Sequence, residues 1–476
     1  MNKTYLLIFT ILLSCQTQQA EKTIVQEITI DADQKFQTID GFGVNITPAQ
    51  WRNGNLKPVI DRLVDDLGCT LFRFDAYGQA NWLDPNQQLP DGTFPETYLK
   101  TVYTSKIFQD AWACFRYLNS KGIEPIFNIS GMIPLVWGEK TDRGIVLKNH
   151  KAYAEMVVSL VSWAREKEKL KFSYFMPFNE TDLGYVEGPL ISATEGPKAL
   201  RAVELELNKK GFSDLKLVIM DDAYPNLDRA KELIKQADLM KSTHAYGIHT
   251  YGNGQFEDSR GDVWYDNESH YTRILQEIKK SPNPNIKLWL TEFGDLDQTE
   301  LMEYGFAWNS TRRLIRFLND GGSAGIAWDA FDNFHEHDTL WAKYGLLKTD
   351  TTNWTYSPRV RYSAYKHIFK FVKPNYQRIA TLTPQLSGRY KTWLDPAHLL
   401  YFTAYLSPDK KQVILVGMNN LECAIDLNIN FKNFGTKPKI STYYVSTKDK
   451  LFEKLSTEKT TTVHIQPQSI FTVVGE

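Results

Sequence analysis

Eight short apolar runs alternate with segments of helical periodicity between residues 38 and 331, and this alternation constrains the fold more than any other feature. Each run has the length and apolar content of a strand that is buried on both faces of a parallel sheet. The segments between the runs carry apolar residues at helical spacing, as in residues 150–169. The eight runs are residues 38–46, 69–75, 123–130, 172–180, 215–222, 245–252, 286–294 and 323–331.

This pattern predicts an α/β fold, a (β/α)8 TIM barrel with long loops over residues 37–373. The alternative is a doubly wound open sheet, which would carry a Gly-rich phosphate loop after its first strand, and the sequence has none there. With 476 residues, of which 42% are hydrophobic, the chain is long enough for a second domain beside the barrel.

The chain changes character after Pro374. Residues 374–476 lack long helical patterns and consist of short alternating runs separated by turn-forming residues, which predicts an antiparallel β-sandwich. Residues 23–36 alternate in the same way and precede the barrel. Because the two ends of a chain often lie close together, we expect this segment to add a strand to the C-terminal sandwich.

The N-terminus has the pattern of an export signal. An apolar stretch, Tyr5–Leu13, follows Lys3 and is too short to span a bilayer, but it has the length of a signal-peptide core. It leads into Cys15 through a sequence that resembles a bacterial lipobox. We therefore expect a signal peptide over residues 1–15, lipidation of Cys15 and a tether over residues 16–22. An ordinary signal peptide with an incidental cysteine is the alternative.

Lipidation would anchor the protein without a spanning helix, which predicts an exported bacterial lipoprotein at the outer membrane, on its periplasmic or surface face. The formal net charge of −1 provides no attraction for nucleic acid or for an anionic membrane. Cys69, Cys114 and Cys423 are too scattered for a disulfide framework or a thiolate metal site. We expect buried thiols, no metal, no organic cofactor and a monomer.

Polar residues end several of the predicted barrel strands, where barrel enzymes place their functional groups. In order from the second strand to the eighth, these residues are Arg73, Asp75, Asn179, Glu180, Asp221, Asp222, His249, Tyr251, Glu292, Trp328 and Asp329. Glu180 and Glu292 stand out because they end strands 4 and 7, which face each other across the mouth of a closed eight-stranded barrel.

Two facing carboxyl groups can cleave a glycosidic bond with retention of configuration. One carboxylic acid protonates the leaving oxygen and the other carboxylate attacks the anomeric carbon, with the two groups about 5–5.5 Å apart. Either glutamate alone could be a loop residue in a surface ion pair. The position of both at strand ends, each after an apolar run, favours Glu180 and Glu292 as a catalytic pair.

The neighbouring residues fit that chemistry. A nucleophilic carboxylate must stay ionised, and a cation and a hydroxyl donor such as Arg73 and Tyr251 would stabilise the charge of Glu292. Asn179 could bind a sugar hydroxyl, and Trp328 offers an apolar face to a sugar ring. Each of these residues also has a structural alternative. Arg73 could form an ion pair that only stabilises the fold, Tyr251 and His249 could be polar residues at the barrel rim, and Trp328 could pack in the core. The predicted substrate-binding residues are Asn179, Arg73, Asp75, Trp137, His249, Tyr251 and Trp328.

Several motifs resemble those of known glycoside hydrolases. FNE at 178–180 and TEFG at 291–294 resemble the acid/base and nucleophile signatures of clan A, and FRFD at 72–75 and HTY at 249–251 resemble its arginine and His-x-Tyr positions. Four further segments are similar to glycoside hydrolase family 30: QTIDGFGVNIT (37–47), SGMIPLVW (130–137), YKHIFKFVKPNYQRI (365–379) and QPQSIFTVVG (466–475). Families 39 and 5 of the same clan are the nearest alternatives.

The resemblance implies a barrel with a side sandwich built from both chain ends and a retaining mechanism without a cofactor. By position, Glu180 would be the acid/base, Glu292 the nucleophile and Asn179 an amide that binds a sugar hydroxyl. The chain departs from the family pattern at Thr181, where the family often has proline, and at Asn45, where small residues are common. The third-strand loop also lacks the usual double proline. These departures surround the substrate and leave the subfamily open.

The leading hypothesis is an endo-β-glycanase that acts on β-1,6-glucan or xylan. One alternative is an exo-acting β-glucosidase, xylosidase or fucosidase of the same family. Another is a glycan-binding surface lipoprotein without catalysis, which would usually have lost one of the two carboxylates. A barrel enzyme of phosphorylated metabolites would need a Gly-rich phosphate loop after strands 7 and 8, and the sequence lacks one there.

Overall fold

The structure is a computed structural model, and it describes residues 23–75, 82–185, 187–235, 241–252, 270–296, 299–301, 303–335, 340–383, 400–455 and 461–476. The predicted signal peptide, Cys15 and the tether lie outside the described residues, so export and lipidation stay predictions. Within the described ranges, none of the helices combines the length and the apolar character that crossing a membrane would require.

The described residues form strands and helices in the following order. The strands are β1 (Ile24–Thr38), β2 (Gly41–Ile46), β3 (Leu71–Asp75), β4 (Ile126–Asn128), β5 (Gly138–Thr141), β6 (Gly144–Leu147), β7 (Tyr174–Met176), β8 (Lys216–Asp222), β9 (Thr243–Gly252), β10 (Lys287–Asp295), β11 (Ala324–Ala327), β12 (Asn333–His335), β13 (Leu340–Ala342), β14 (Leu347–Asp350), β15 (Thr355–Pro358), β16 (Gln377–Leu382), β17 (Leu400–Leu406), β18 (Val413–Asn419), β19 (Ile425–Lys432), β20 (Ile440–Ser446), β21 (Glu453–Leu455), β22 (Thr462–Ile465) and β23 (Ser469–Gly475). The helices are α1 (Lys57–Asp61), α2 (Glu96–Tyr103), α3 (Lys106–Ser120), α4 (His150–Ser162), α5 (Gly196–Lys209), α6 (Leu227–Ile234), α7 (His270–Lys280), α8 (Glu303–Asn319) and α9 (Val360–Phe369).

The first domain is a closed barrel of parallel strands. The strands follow the order β2, β3, β4, β7, β8, β9, β10 and β11, and β11 pairs with β2 to close the ring. Each barrel strand coincides with one of the eight apolar runs of the sequence, and helices pack around the ring. The predicted (β/α)8 barrel is confirmed.

The interior of the barrel is apolar at one end and polar at the other. Leu71, Ile126 and Trp289 belong to a buried apolar cluster that fills the barrel near the start of its strands. Successive side chains of a strand point to opposite faces, so Arg73 lies on the same face of β3 as Leu71 and one layer closer to the C-terminal end. The charged layer therefore rests on a filled core, at the end where barrel enzymes bind their substrates.

The second domain is one curled sheet of nine strands. Its order is β21, β20, β23, β18, β17, β16, β1, β19 and β22. The N-terminal strand β1 pairs antiparallel with β16 and parallel with β19, so it lies inside the C-terminal sheet as predicted. Because β1 connects the two groups of strands, the predicted β-sandwich forms a continuous hydrogen-bonded sheet around its own apolar core, and one of its pairs is parallel.

A buried histidine connects the two domains. His367 lies on α9, and its Nδ1 is 2.9 Å from Thr472 Oγ1 of β23, while its Nε2 is 2.8 Å from Ser446 Oγ of β20. The side chain is 0% exposed. Burial lowers the pKa of His367 from its ordinary value to about 3, so the imidazole is neutral in the folded protein.

This neutral imidazole predicts a loss of stability as the pH falls. Below pH 6.5 the unfolded chain binds a proton that the folded chain rejects, so His367 should remove about 2 kcal/mol of the unfolding free energy between pH 7.5 and pH 5. Urea unfolding measured at both pH values should show that the unfolding free energy of His367→Asn changes less with pH than that of the wild type. His464→Asn, at an exposed imidazole of β22 that pairs with Asp426, is the control and should not reduce the pH dependence. Equal dependence in the wild type and His367→Asn would refute the prediction.

Candidate active site

Glu180 and Glu292 converge at the C-terminal end of the barrel, with His249 between them. His249 Nδ1 is 2.8 Å from Glu180 Oε1 and 3.3 Å from Glu292 Oε2. One atom of each of the three side chains lies within 4.8 Å of the others, so the two carboxyl groups are close enough to contact opposite sides of one glycosidic bond. Both glutamates are buried, with exposed fractions of 8% and 6%.

The backbone at two strand ends directs these carboxyl groups into the barrel mouth. β7 ends at Met176, and Glu180 follows in the loop with a left-handed φ of 43°, while its N–H donates a 2.8 Å hydrogen bond to Asp221 O. In β10 the register with β9 shifts between Leu290 and Glu292, which places Glu292 opposite His249. A shift of this kind re-aims the side chains that follow it.

Arg73 is the centre of the hydrogen-bond network. Its Nη1 lies 2.6 Å from Glu292 Oε1 and 2.8 Å from Asn45 Oδ1, and its Nη2 lies 2.5 Å from both Asn179 Oδ1 and Asp221 Oδ2. Burial disfavours the charged guanidinium, but Asp221 and Glu292 outweigh it and raise the pKa of Arg73 above its ordinary value. Arg73 is therefore a permanent cation that fixes Glu292.

Tyr251 contacts the other oxygen of the same carboxylate. Its hydroxyl donates a hydrogen bond to Glu292 Oε2. Burial and the charge of Glu292 raise the pKa of Tyr251 well above its ordinary value, so the phenol stays protonated and remains a donor. Glu292 thus receives a donor on each oxygen, from Arg73 and from Tyr251.

Asp221 links the arginine to the histidine. Its Oδ2 lies 2.5 Å from Arg73 Nη2 and 3.3 Å from His249 Nε2. Burial opposes its ionisation, but Arg73 and His249 lower the pKa of Asp221 to about 2. Burial also opposes the charge of His249, but Glu292 and Asp221 raise the pKa of His249 well above its ordinary value. Near neutral pH the site therefore contains an aspartate and an imidazolium.

The charges of the site balance when its carboxyl groups together hold one proton. Two cations, Arg73 and His249, face three carboxyl groups, so the cluster is neutral when one carboxyl group is protonated. Burial, with the charges of Glu180 and Asp221, raises the pKa of Glu292, and His249 and Arg73 oppose that rise. Close carboxyl pairs share a proton because both cannot ionise at low cost. An acid and a carboxylate side by side are what double displacement requires.

Among the described residues, one group has possible ligand atoms close enough together to hold a metal ion, and it consists of Glu180, His249 and Glu292. A metal needs a neutral imidazole with a lone pair on the coordinating nitrogen. Here the Nδ1 of His249 faces the two glutamates and its Nε2 faces Asp221, and these carboxylates favour the protonated ring. The geometry therefore fits a proton bridge better than a metal centre.

The remaining predicted residues are divided between the site and the core. Asp75, at the end of β3, accepts a hydrogen bond from Ser130 Oγ, and Trp328 follows β11 and is half-buried at the mouth. Trp137 does not join the group: it is 2% exposed, its ring packs edge-on to Phe94, and it anchors the start of α4 through its carbonyl oxygen. Contact between Trp137 and substrate therefore stays a prediction.

Two residues of the network were absent from the predicted site. Asp221 ends β8 and had appeared among the strand-end residues, but nothing in the sequence showed that its carboxylate would contact both Arg73 and His249. Asn45 had been noted as a departure from the family pattern, and the structure uses it to bind Arg73 and the backbone of Thr291 and Ala327. Its position at the end of β2 was the available signal.

No model of a known protein family matches the chain, and no curated protein matches it either. Solved structures do. A family 30 endoxylanase from Clostridium papyrosolvens C71 superimposes with a TM-score of 0.67 at 16% identity, covering 94% of this chain and 100% of that one. A conserved exported protein from Bacteroides fragilis gives a TM-score of 0.70 at 15% identity, covering 94% and 99%. An endo-β-1,6-glucanase gives 0.65 at 16% identity, covering 94% of each chain.

These similarities extend over both domains, and the low identity limits what they establish to the fold. The superimposed 94% of this chain takes in both the barrel and the side sheet. The chain therefore has the fold of the family 30 glycoside hydrolases.

Proposed function

We propose that this protein is a retaining β-glycoside hydrolase that acts by double displacement. The observation that carries the proposal is the pairing of Glu180 and Glu292 around His249. Of the two glutamates, Glu292 is the one that accepts hydrogen bonds from Arg73 and Tyr251. Burial raises the pKa of Glu292, but the donors on both of its oxygens favour its ionised form over that of Glu180. On that geometry we assign Glu292 as the nucleophile and Glu180 as the acid/base.

In the first step a carboxylate oxygen of Glu292 attacks the anomeric carbon and the bond to the leaving oxygen breaks. Glu180 gives its proton to that oxygen, and the sugar remains bound to Glu292 as an ester. In the second step Glu180 takes a proton from water, the water oxygen attacks the anomeric carbon, and the ester bond breaks. The sugar leaves with its original configuration, and both carboxyl groups return to their starting states.

The network around the pair fits both steps. Arg73 and Tyr251 hold the two oxygens of Glu292, so the attacking oxygen is fixed in orientation before the substrate binds. Asn179 is held by Arg73, and its Nδ2 donates to Glu187 O at 3.0 Å, so its amide plane is fixed beside the acid. We assign Trp328, which is half-buried after β11, to contact with the face of a sugar ring.

For the substrate, we propose a β-linked glucan or xylan cut within the chain. Support comes from the solved structures that share the fold, which include an endoxylanase, a second xylanase and an endo-β-1,6-glucanase. An exo-acting glycosidase is the alternative, since a glucosidase has the same fold. Product lengths from a panel of β-linked oligosaccharides would separate the two, because an exo-acting enzyme releases one terminal unit at a time.

A mechanism-based label tests the proposal directly. A 2-fluoro glycoside with a good leaving group should inactivate the wild type, because the fluorine slows the second step and leaves the sugar bound to the nucleophile. Peptide mass mapping should locate the added mass on Glu292. Glu292→Gln should take up no label, while the control Glu96→Gln, on the exposed start of α2, should be labelled like the wild type. A label on another residue, or none after turnover is shown, would refute the assignment of Glu292.

A further inference from the structure

The backbone of Glu180 adopts a conformation that needs support. Its φ of 43° lies in the left-handed region, which glutamate adopts rarely and at a cost of about 1–3 kcal/mol. A residue persists there when its surroundings hold it. The hydrogen bond from Glu180 N to Asp221 O is one support, and the residues after Glu180 supply others.

A buried ion pair contacts the next residue in the chain. Arg229, on α6, donates from Nε to Asp222 Oδ1 at 2.8 Å and from Nη2 to Thr181 Oγ1. Thr181 Oγ1 is also 3.3 Å from Asp222 Oδ1, which can accept its hydrogen. Thr181, Asp222 and Arg229 have exposed fractions of 1%, 0% and 7%, so these hydrogen bonds are shielded from water.

The same arginine ties together the two ends of the loop. Arg229 Nη1 donates to Ile191 O at 2.6 Å, and Ile191 N donates to Thr181 O at 3.0 Å. The next carboxylate, Asp182, accepts from Ala223 N at 2.8 Å. The loop that begins at Glu180 is therefore bound to the segment that follows β8 at several successive positions.

Thr181 is the member of this network that follows Glu180 directly in the chain. Its hydroxyl accepts from Arg229 Nη2 and lies 3.3 Å from Asp222 Oδ1. A proline at this position would have no hydroxyl, and it would restrict Glu180 toward extended conformations and away from its left-handed φ. The ion pair of Asp222 and Arg229 takes no part in the catalytic steps, but it holds the side chain of Thr181.

We propose that Thr181, Asp222 and Arg229 form a clamp that holds the backbone of Glu180 and thereby positions its carboxyl group for proton transfer. The three are positioning residues, because they act through the main chain of Glu180. This inference rests on the proposed function, and it adds residues that double displacement itself does not use.

The test compares two substrates with the same sugar on the wild type and Thr181→Val. One is an oligosaccharide, whose leaving alkoxide needs a proton, and the other is a 2,4-dinitrophenyl glycoside, whose phenolate leaves without one. The valine has the shape of threonine but no hydroxyl. We expect kcat/KM to fall about 10-fold on the oligosaccharide and to stay within about twofold on the aryl glycoside, because a misplaced acid affects the step that needs a proton.

Three further variants isolate the hydroxyl. Thr181→Ser keeps it and should restore most of the activity on the oligosaccharide. Thr194→Val makes the same substitution at an exposed position of the same loop and should behave like the wild type. Arg229→Lys keeps the charge but cannot reach Asp222, Thr181 and Ile191 together, so kcat/KM should again fall on the oligosaccharide and not on the aryl glycoside. This variant replaces Thr181→Val in the test if Thr181→Val does not fold.

An equal loss on both substrates would show general damage to the site and would overturn the clamp, as would an unchanged kcat/KM on the oligosaccharide. A wild type that hydrolyses neither substrate would instead overturn the proposed function and the catalytic role of the clamp with it. The two failures are therefore distinguishable by the wild-type measurement alone.

Discussion

Replacing Glu292 with alanine should lower kcat on a β-linked oligosaccharide by at least about 10⁴-fold, because the covalent intermediate can no longer form. The variant should still fold: Arg73 loses one carboxylate but keeps Asp221 at 2.5 Å, so its charge remains paired. Oligosaccharide binding, measured by calorimetry, should persist. Hydrolysis within about tenfold of the wild type would contradict the role of Glu292.

The cavity left by the glutamate side chain offers a second readout. A small anion such as azide can occupy it beside Arg73 and Tyr251 and attack the anomeric carbon from the face that Glu292 uses. One displacement then replaces two, so the product should be the glycosyl azide of inverted, α configuration. The control is Glu292→Gln, which fills the same space and should give less of this product at equal azide.

The parts of the fold that depend on repeating patterns were predictable from the sequence. The eight apolar runs predicted the eight barrel strands because a strand buried on both faces must be apolar along its length. The alternating segments at both chain ends predicted one shared domain. The same pattern placed Glu180 and Glu292 near the C-terminal ends of their strands, although β7 already ends at Met176 and β10 continues past Glu292 to Asp295.

Features set by single backbone geometries were beyond prediction from the sequence. The left-handed φ of Glu180 and the register shift in β10 aim the two carboxyl groups, and neither has a sequence signature. Trp137 was predicted to bind substrate, and its position in the sequence did not indicate that its ring is buried beside Phe94. Asp221 was visible as a strand-end residue, while its two partners come from strands distant in sequence.

The contacts between residues distant in sequence also support the proposed division of roles between the two glutamates. Spacing along the chain treats Glu180 and Glu292 alike, since each ends an apolar run. The structure distinguishes them by their donors, because Arg73 and Tyr251 converge on Glu292. The resemblance implied the same roles, and the three-dimensional network adds a physical reason for them. Mutation of each glutamate should therefore give a different kinetic signature.

Replacing Glu180 with alanine should separate the two chemical steps. On an oligosaccharide, kcat/KM should fall by about 10²–10⁴-fold, because the leaving oxygen receives no proton. On a 2,4-dinitrophenyl glycoside, kcat/KM should change little, but kcat should fall, because water must then attack the glycosyl ester of Glu292 without a base. Steady-state kinetics on both substrates, with a burst of dinitrophenolate, would measure this.

Azide again gives the decisive control, now with the opposite stereochemistry. In Glu180→Ala the ester on Glu292 still forms, so azide attacks it from the side vacated by Glu180 and the product should be the glycosyl azide of retained, β configuration. The α product from Glu292→Ala and the β product from Glu180→Ala would together assign one role to each residue. Exchanged configurations, β from Glu292→Ala and α from Glu180→Ala, would exchange the two roles. The same configuration from both variants would contradict both assignments, since one anion cannot approach the same face through cavities on opposite sides of the sugar.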